Sequence, residues 1–88
     1  MQYRLYSIFD QITNLFNLPF TSINDNDAIR TVRMVQSDSS STLHKSPSDY
    51  SLYFIGIYDD SIGAYTNQSN PELITRVSAL NPINEIGE

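Results

Sequence analysis

The stretch SPSDYSLYFIGIYDD, residues 46–60, constrains the fold more than any other part of the chain. A polar approach gives way at Leu52 to seven residues without a charge, and the run ends on Asp59 and Asp60. Aromatic and β-branched residues favour strands, so a strand is predicted over 50–58. Successive side chains of a strand point to opposite faces. A strand with so few polar residues is apolar on both faces, and each face needs a cover.

The chain has limited means to supply two covers. Its 88 residues make one domain, with a modest core. Hydrophobic residues are 40% and charged residues 17% of the chain, the latter below the roughly 25% of ordinary globular domains. The alternation in YRLYSIF predicts a strand over 3–9. Residues 10–23 hold the apolar LFNLPF, but Pro19 lacks an N–H and turns Leu18 away from the helical region. An ordered, irregular connection is expected there, packing Leu15, Phe16 and Phe20 onto the sheet or a partner.

A helix is predicted over 24–36. Asn24 or Asp25 can cap it, acids fill its first turn, and Ala28, Ile29, Val32 and Val35 share one apolar face. Arg30, Arg33 and Ser37 fall on the other side, with Met34 near them. The serine-rich residues 37–49 read as a loop. DDSIG reads as a hairpin turn, followed by a short strand over 64–66. NQSNP is a second turn, and β-branched Ile74, Thr75 and Val77 favour a strand over 72–80. The fold class expected is α+β: a small antiparallel or mixed sheet of three to four strands, in the order β-α-β-β-β, with one helix packed on one face. Residues 1–80 form the domain and 81–88 a flexible tail. One helix covers one face only. The other is left to LFNLPF or to a second copy of the chain, which makes a homo-oligomer the expected state.

Composition also excludes chemistry. There is no cysteine, hence no disulfide and no thiolate metal site. His44 is the single histidine and has no company of ligands, so no metal and no cofactor are expected. Asp59 and Asp60 are adjacent acids at a strand end, which suits a turn better than a paired-carboxylate site. The NDND of 24–27 suits a helix cap better than a cation site. The three glycines are isolated, which rules out a phosphate-cradling loop, and Gly-x-Ser-x-Gly is absent. No catalytic set emerges and the protein is not expected to be an enzyme. No segment has the roughly 18 apolar residues of a membrane span, and no signal sequence is seen. Cytosol is the expected compartment.

Two binding surfaces remain. The net charge is −5 with five cations, a poor footprint for phosphate neutralisation. Arg30 and Arg33, three apart on the exposed helix face, are the best anion contacts. Arg4 and Lys45 are further nucleic-acid candidates; exposed rings on a sheet can stack single-stranded bases, and Arg4, Arg76 and Lys45 are the cations that could flank them. Phe16, Phe20, Tyr53 and Ile55 are the candidates for an apolar interface, where tyrosine is common.

Several blocks carry a family resemblance: YSIFD near the N-terminus, PF at Pro19 and Phe20, NDNDAIR at 24–30, and above all SPSDYSLYFIGIYDDSIG at 46–63. The last is similar to a Pro-x-Asp-Tyr-x-Leu-x-x-x-Gly-x-Phe/Tyr-Asp pattern, met by Pro47, Asp49, Tyr50, Leu52, Gly56, Tyr58 and Asp59. With these blocks the chain resembles the small nonstructural protein of gokushovirus-type microviruses, bacteriophages with single-stranded DNA genomes, over residues 3–77. The resemblance implies a protein of the host bacterial cytoplasm, absent from the mature capsid, that binds DNA or regulates single-stranded genome synthesis and packaging. The partners it implies are single-stranded DNA and phage replication or capsid proteins. The alternative is a protein-interaction module, a homo-oligomeric adaptor that engages a phage or host protein without binding DNA. The matched residues themselves are turn and packing chemistry, and no catalytic set is carried over.

Overall fold

A computed structural model of the chain describes residues 1–81. The order is β1 (Gln2–Asp10), β2 (Leu15–Phe16), β3 (Phe20–Ser22), α1 (Asp25–Ser37), α2 (Thr42–Lys45), β4 (Tyr50–Asp59) and β5 (Ala64–Arg76), with short 3₁₀ turns before β4 and after β5. The fold is α+β as expected. One antiparallel sheet runs β2-β1-β4-β5, with β3 also on β1, and one main helix backs it. The sheet has five strands rather than three to four, because the connection over 10–23 forms strands of its own.

That connection turns at Asp10. Its carboxylate accepts from the Ile12 amide at 2.9 Å, and Asn14 takes a positive φ of 62°, a conformation that asparagine tolerates. The chain then returns along β1. Phe16 pairs with Phe9 and Phe20 with Tyr6, so three residues, 17–19, oppose two. This bulge accommodates Pro19. Its Asn17 carbonyl accepts from the Ser7 hydroxyl at 2.7 Å, which satisfies a fully buried serine.

Helix α1 starts at Asn24, whose side chain accepts from the Asp27 amide at 2.8 Å. It buries Ala28, Val32 and Gln36. Val35, expected on the apolar face, is 44% exposed. At 100° per residue it falls at the margin of an arc centred on Val32. Gln36 takes the inner position instead, and its amide donates to the Val77 and Leu80 carbonyls at 3.3 and 3.4 Å. Residues 37–49 are more ordered than a loop. They contain the one-turn α2, capped by Ser41, and it buries Leu43. The core is Tyr6, Ile8, Ala28, Val32, Leu43, Leu52, Phe54 and Val77, all between α1, α2 and one face of the sheet.

The two segments expected over 64–66 and 72–80 are one irregular strand. Residues 68–71 arch out opposite Ile55 alone, between the pairs Gly56–Asn67 and Phe54–Glu72. The strand ends at Arg76 rather than Leu80, because Val77 turns inward to bury its side chain completely. The expected tail of 81–88 lies outside the described residues apart from Asn81.

Candidate interaction surface

The sheet's second face has no layer over it among the described residues. LFNLPF covers it only at one margin, where the Asn17 carbonyl meets the buried Ser7 hydroxyl. That segment extends the sheet sideways and sends Phe16 to the open face and Phe20 to the core side. The strand registers sort the open face into rows. At one end Tyr3, Tyr58 and Tyr65 lie side by side across β1, β4 and β5. At the other end Phe16, Phe9, Ser51 and Arg76 form a row across β2, β1, β4 and β5. Tyr53 joins Phe9 and Phe16 in a three-ring cluster. Its ring centroids are 4.8 Å apart for Phe9–Phe16, 5.5 Å for Phe16–Tyr53 and 6.0 Å for Phe9–Tyr53. Edge and tilted contacts at this spacing suit aromatic quadrupoles.

A β-bulge makes this arrangement possible. Ile55 is an extra residue in β4, between the Leu5–Gly56 and Tyr6–Phe54 pairs. Tyr53 and Tyr58 are five apart and would point to opposite faces of a regular strand. The bulge puts both on the open face. Between the two ring groups Gly56 leaves a gap. A Cβ there would fall 2.5 Å from the Thr66 carbonyl oxygen, so only glycine lets β5 approach. A groove of about 420 Å³ opens beside it, lined by Leu5, Pro19, Ile55, Tyr58, Tyr65 and Pro71 among others. Of the residues in these rows, Arg76 alone is charged, and it forms no ion pair among the described residues.

The nucleic-acid candidates lie elsewhere. Arg4 is on the core side, with its guanidinium 3.8 Å from the Phe54 ring centroid. It donates to the Tyr6 hydroxyl at 2.8 Å and pairs with Asp25 at 3.1 Å. Burial works against its charge, but Tyr6 and Asp25 outweigh burial and raise its pKa. The Tyr6 hydroxyl donates to Asp25 at 2.5 Å. Burial, and then that bond, push the Tyr6 phenol up to about 12. Arg30 donates to Asp27 at 2.7 Å and holds that carboxyl below the usual range. Arg33 donates to the Asn81 carbonyl at 2.8 Å. Lys45 ends α2 and is exposed. All four belong to the helix side, and the exposed rings are on the other.

Of the interface candidates, Phe16 and Tyr53 meet in the ring cluster and Ile55 lines the groove. Phe20 does not join them: its ring stacks on Tyr6 with centroids 5.9 Å apart. Tyr65 and Arg76 also lie on this face, and no periodicity in the sequence marks them as interface residues. Asp59 and Asp60, followed by Ser61, are turn chemistry. Asp59 accepts from the Ser61 hydroxyl at 2.6 Å and amide at 3.0 Å, which holds its carboxyl below the usual range. Asp60 pairs with the terminal amine of Met1 at 2.7 Å. The His44 ring binds the Gln36 carbonyl through Nδ1 at 3.0 Å. Among the described residues no group of three His, Cys, Asp or Glu could hold a metal ion, and no helix is long and apolar enough to cross a membrane.

Fold and surface together define a class: a small α+β domain whose helix-backed antiparallel sheet leaves one aromatic face open. Residues 3–80 match the family model of the Phage ORF5 protein, and the chain belongs to that family. It is a phage protein. Neither the curated proteins nor the solved structures give a match.

Proposed function

We propose that this chain is a non-enzymatic, nonstructural protein of a gokushovirus-type microvirus that serves single-stranded genome synthesis or packaging in the host cytoplasm. It does so as a docking module, through the open face of its sheet. The observation that carries the reading is the separation of rings from cations. Among the described residues the open face is aromatic and carries Arg76 as its one charge, whereas Arg4, Arg30, Arg33 and Lys45 belong to the helix side. A basic DNA grip needs cations beside the surface that holds the strand. An apolar face with tyrosines is the make-up of a protein interface. The test is phage progeny yield with complementing variants. Tyr65→Asp, at a 61% exposed position, should lower yield while leaving the fold intact. Arg30→Ala with Arg33→Ala should leave yield unchanged. The reverse pattern contradicts the reading.

A second reading places single-stranded DNA on the same face. Arg76, in one row with Phe9 and Phe16, favours it, because a cation beside stacking rings suits an unpaired strand. Fluorescence anisotropy with labelled single-stranded and duplex oligonucleotides across a salt series separates the two. Binding that weakens steeply with salt and is lost in Arg76→Ala supports DNA. No binding at low salt excludes it.

A further inference from the structure

We infer that the occupant of the open face is a second copy of this chain, in a two-fold dimer of sheet against sheet. The inference rests on the docking reading above and names its partner. Four observations on different parts of the molecule agree on it.

The first is the state of the edges. An open edge invites strand addition, and both edges of this sheet are blunted. On one side residues 17–19 bulge and include Pro19, and on the other residues 68–71 arch out and include Pro71. Association is thereby directed to the face. The second is charge. The chain carries −5, so two copies repel in general, yet the rows of the open face hold no acid. An interface between identical surfaces must be self-compatible, and this is the surface that brings no acids together.

The third is complementarity along the strands. A two-fold axis lying across the strands reverses their direction. It sets the Phe9–Phe16–Tyr53 cluster of one copy over the Tyr3–Tyr58–Tyr65 row of the other. The same operation carries Arg76, at the far end of β5, over the hairpin end of the partner copy, where Asp60 lies exposed beside the Met1 amine in the turn after β4. The charge pairing occurs twice, and the sheets pack in the aligned manner of a sandwich. The fourth is a knob and a hole. Leu18 is 90% exposed and precedes Pro19 in the bulge of the sheet edge. Pro19 lines the groove with Leu5, Ile55 and Tyr65. An exposed apolar side chain next in sequence to the rim of an apolar groove is a pair that an isologous contact can use twice.

Sedimentation velocity over a concentration series tests this on the whole chain. Twice the 10.0 kDa chain mass is expected for the wild type. Leu18→Asp should weaken the dimer by about tenfold or more, with an unchanged melting curve at concentrations low enough for both proteins to be monomeric, because the side chain is exposed. Arg76→Glu should weaken it, and Arg76→Glu with Asp60→Lys should restore it. A wild type that stays monomeric at high concentration overturns the inference, as does a dimer indifferent to both Leu18→Asp and Arg76→Glu. A monomer that binds an oligonucleotide through Arg76 also overturns it. The docking reading fails separately. If the wild type is monomeric but Tyr65→Asp lowers progeny yield, the second copy falls and docking survives. If the dimer forms and yield ignores Tyr65→Asp, docking falls and the dimer stands.

Discussion

The two faces of this sheet are built from the same strands and read alternate residues, yet they do different work. The helix side buries Tyr6, Leu52, Val32 and Val77 with essentially no exposure. Each such side chain contributes roughly 1.5–3 kcal/mol on leaving water. The other side presents Tyr3, Phe9, Tyr53 and Tyr58 half-exposed and Phe16 and Tyr65 exposed. One face stabilises the chain, and the other keeps its rings within reach of solvent. The difference shows what a single helix can do for a short chain: it covers one face of the sheet, and the other is the face on which the proposed docking rests.

Truncation is the sharpest way to break this contrast. Leu52→Ala should cost about 2–5 kcal/mol by urea denaturation of the monomer, since Leu52 has no exposed surface to lose. Tyr53→Ala, its neighbour on the other face, should cost about 1 kcal/mol. Equal costs would mean that the open face is part of the folding core. Gly56→Ala is the informative exception on the open side. Its new methyl meets β5 backbone, so a loss of about 1–3 kcal/mol is expected despite its position.

Tyr6→Phe probes the covered side by chemistry rather than size. It leaves Arg4 and Asp25 without their shared hydroxyl and should cost about 1–2 kcal/mol. It also changes alkaline behaviour. The folded phenol titrates at about 12, above the ordinary value of about 10. Between those values the unfolded chain has lost the proton that the folded chain keeps. The stability from Tyr6 is complete below about 10 and is lost as pH rises through about 12. A pH series of melting curves should show this loss in the wild type and not in Tyr6→Phe. The smallest effect expected is at the acid end. The carboxyls of Asp27, Asp38 and Asp59 are all held below the usual range by hydrogen bonds from Arg30, Ser40 and Ser61 in turn. Their contribution is present above ordinary carboxylate values and fades as pH falls through the depressed ones. Asp27→Asn should reduce that acid sensitivity slightly.

Much of the covered side was legible. Residues 3–9, 24–36 and 50–58 announce their elements by period and capping, and the structure has strands and a helix there with ends shifted by a residue. That β4 is apolar on both faces was also legible in its uncharged run. The layout of the open face was not, and the reason is the bulge. Strict alternation separates Tyr53 from Tyr58, and Ile55 reunites them only because β4 carries one residue more than β1 at that point. The arch at 68–71 hid the continuity of β5 in the same way, since NQSNP has turn chemistry and serves as a bulge. The setting of Arg4 was hidden for a third reason. Its partners Tyr6 and Asp25 lie on different elements and meet only in the fold.

Hydroxyl-radical footprinting at rising protein concentration tests the central claim most directly, because it reads both faces in one sample. Tyr3, Tyr53, Tyr58 and Tyr65 should lose reactivity together as the dimer forms, while Met34, 61% exposed on the helix side, stays reactive and Tyr6 is protected throughout. Protection of Met34 with the four tyrosines unchanged would put the contact on the helix side and contradict the account.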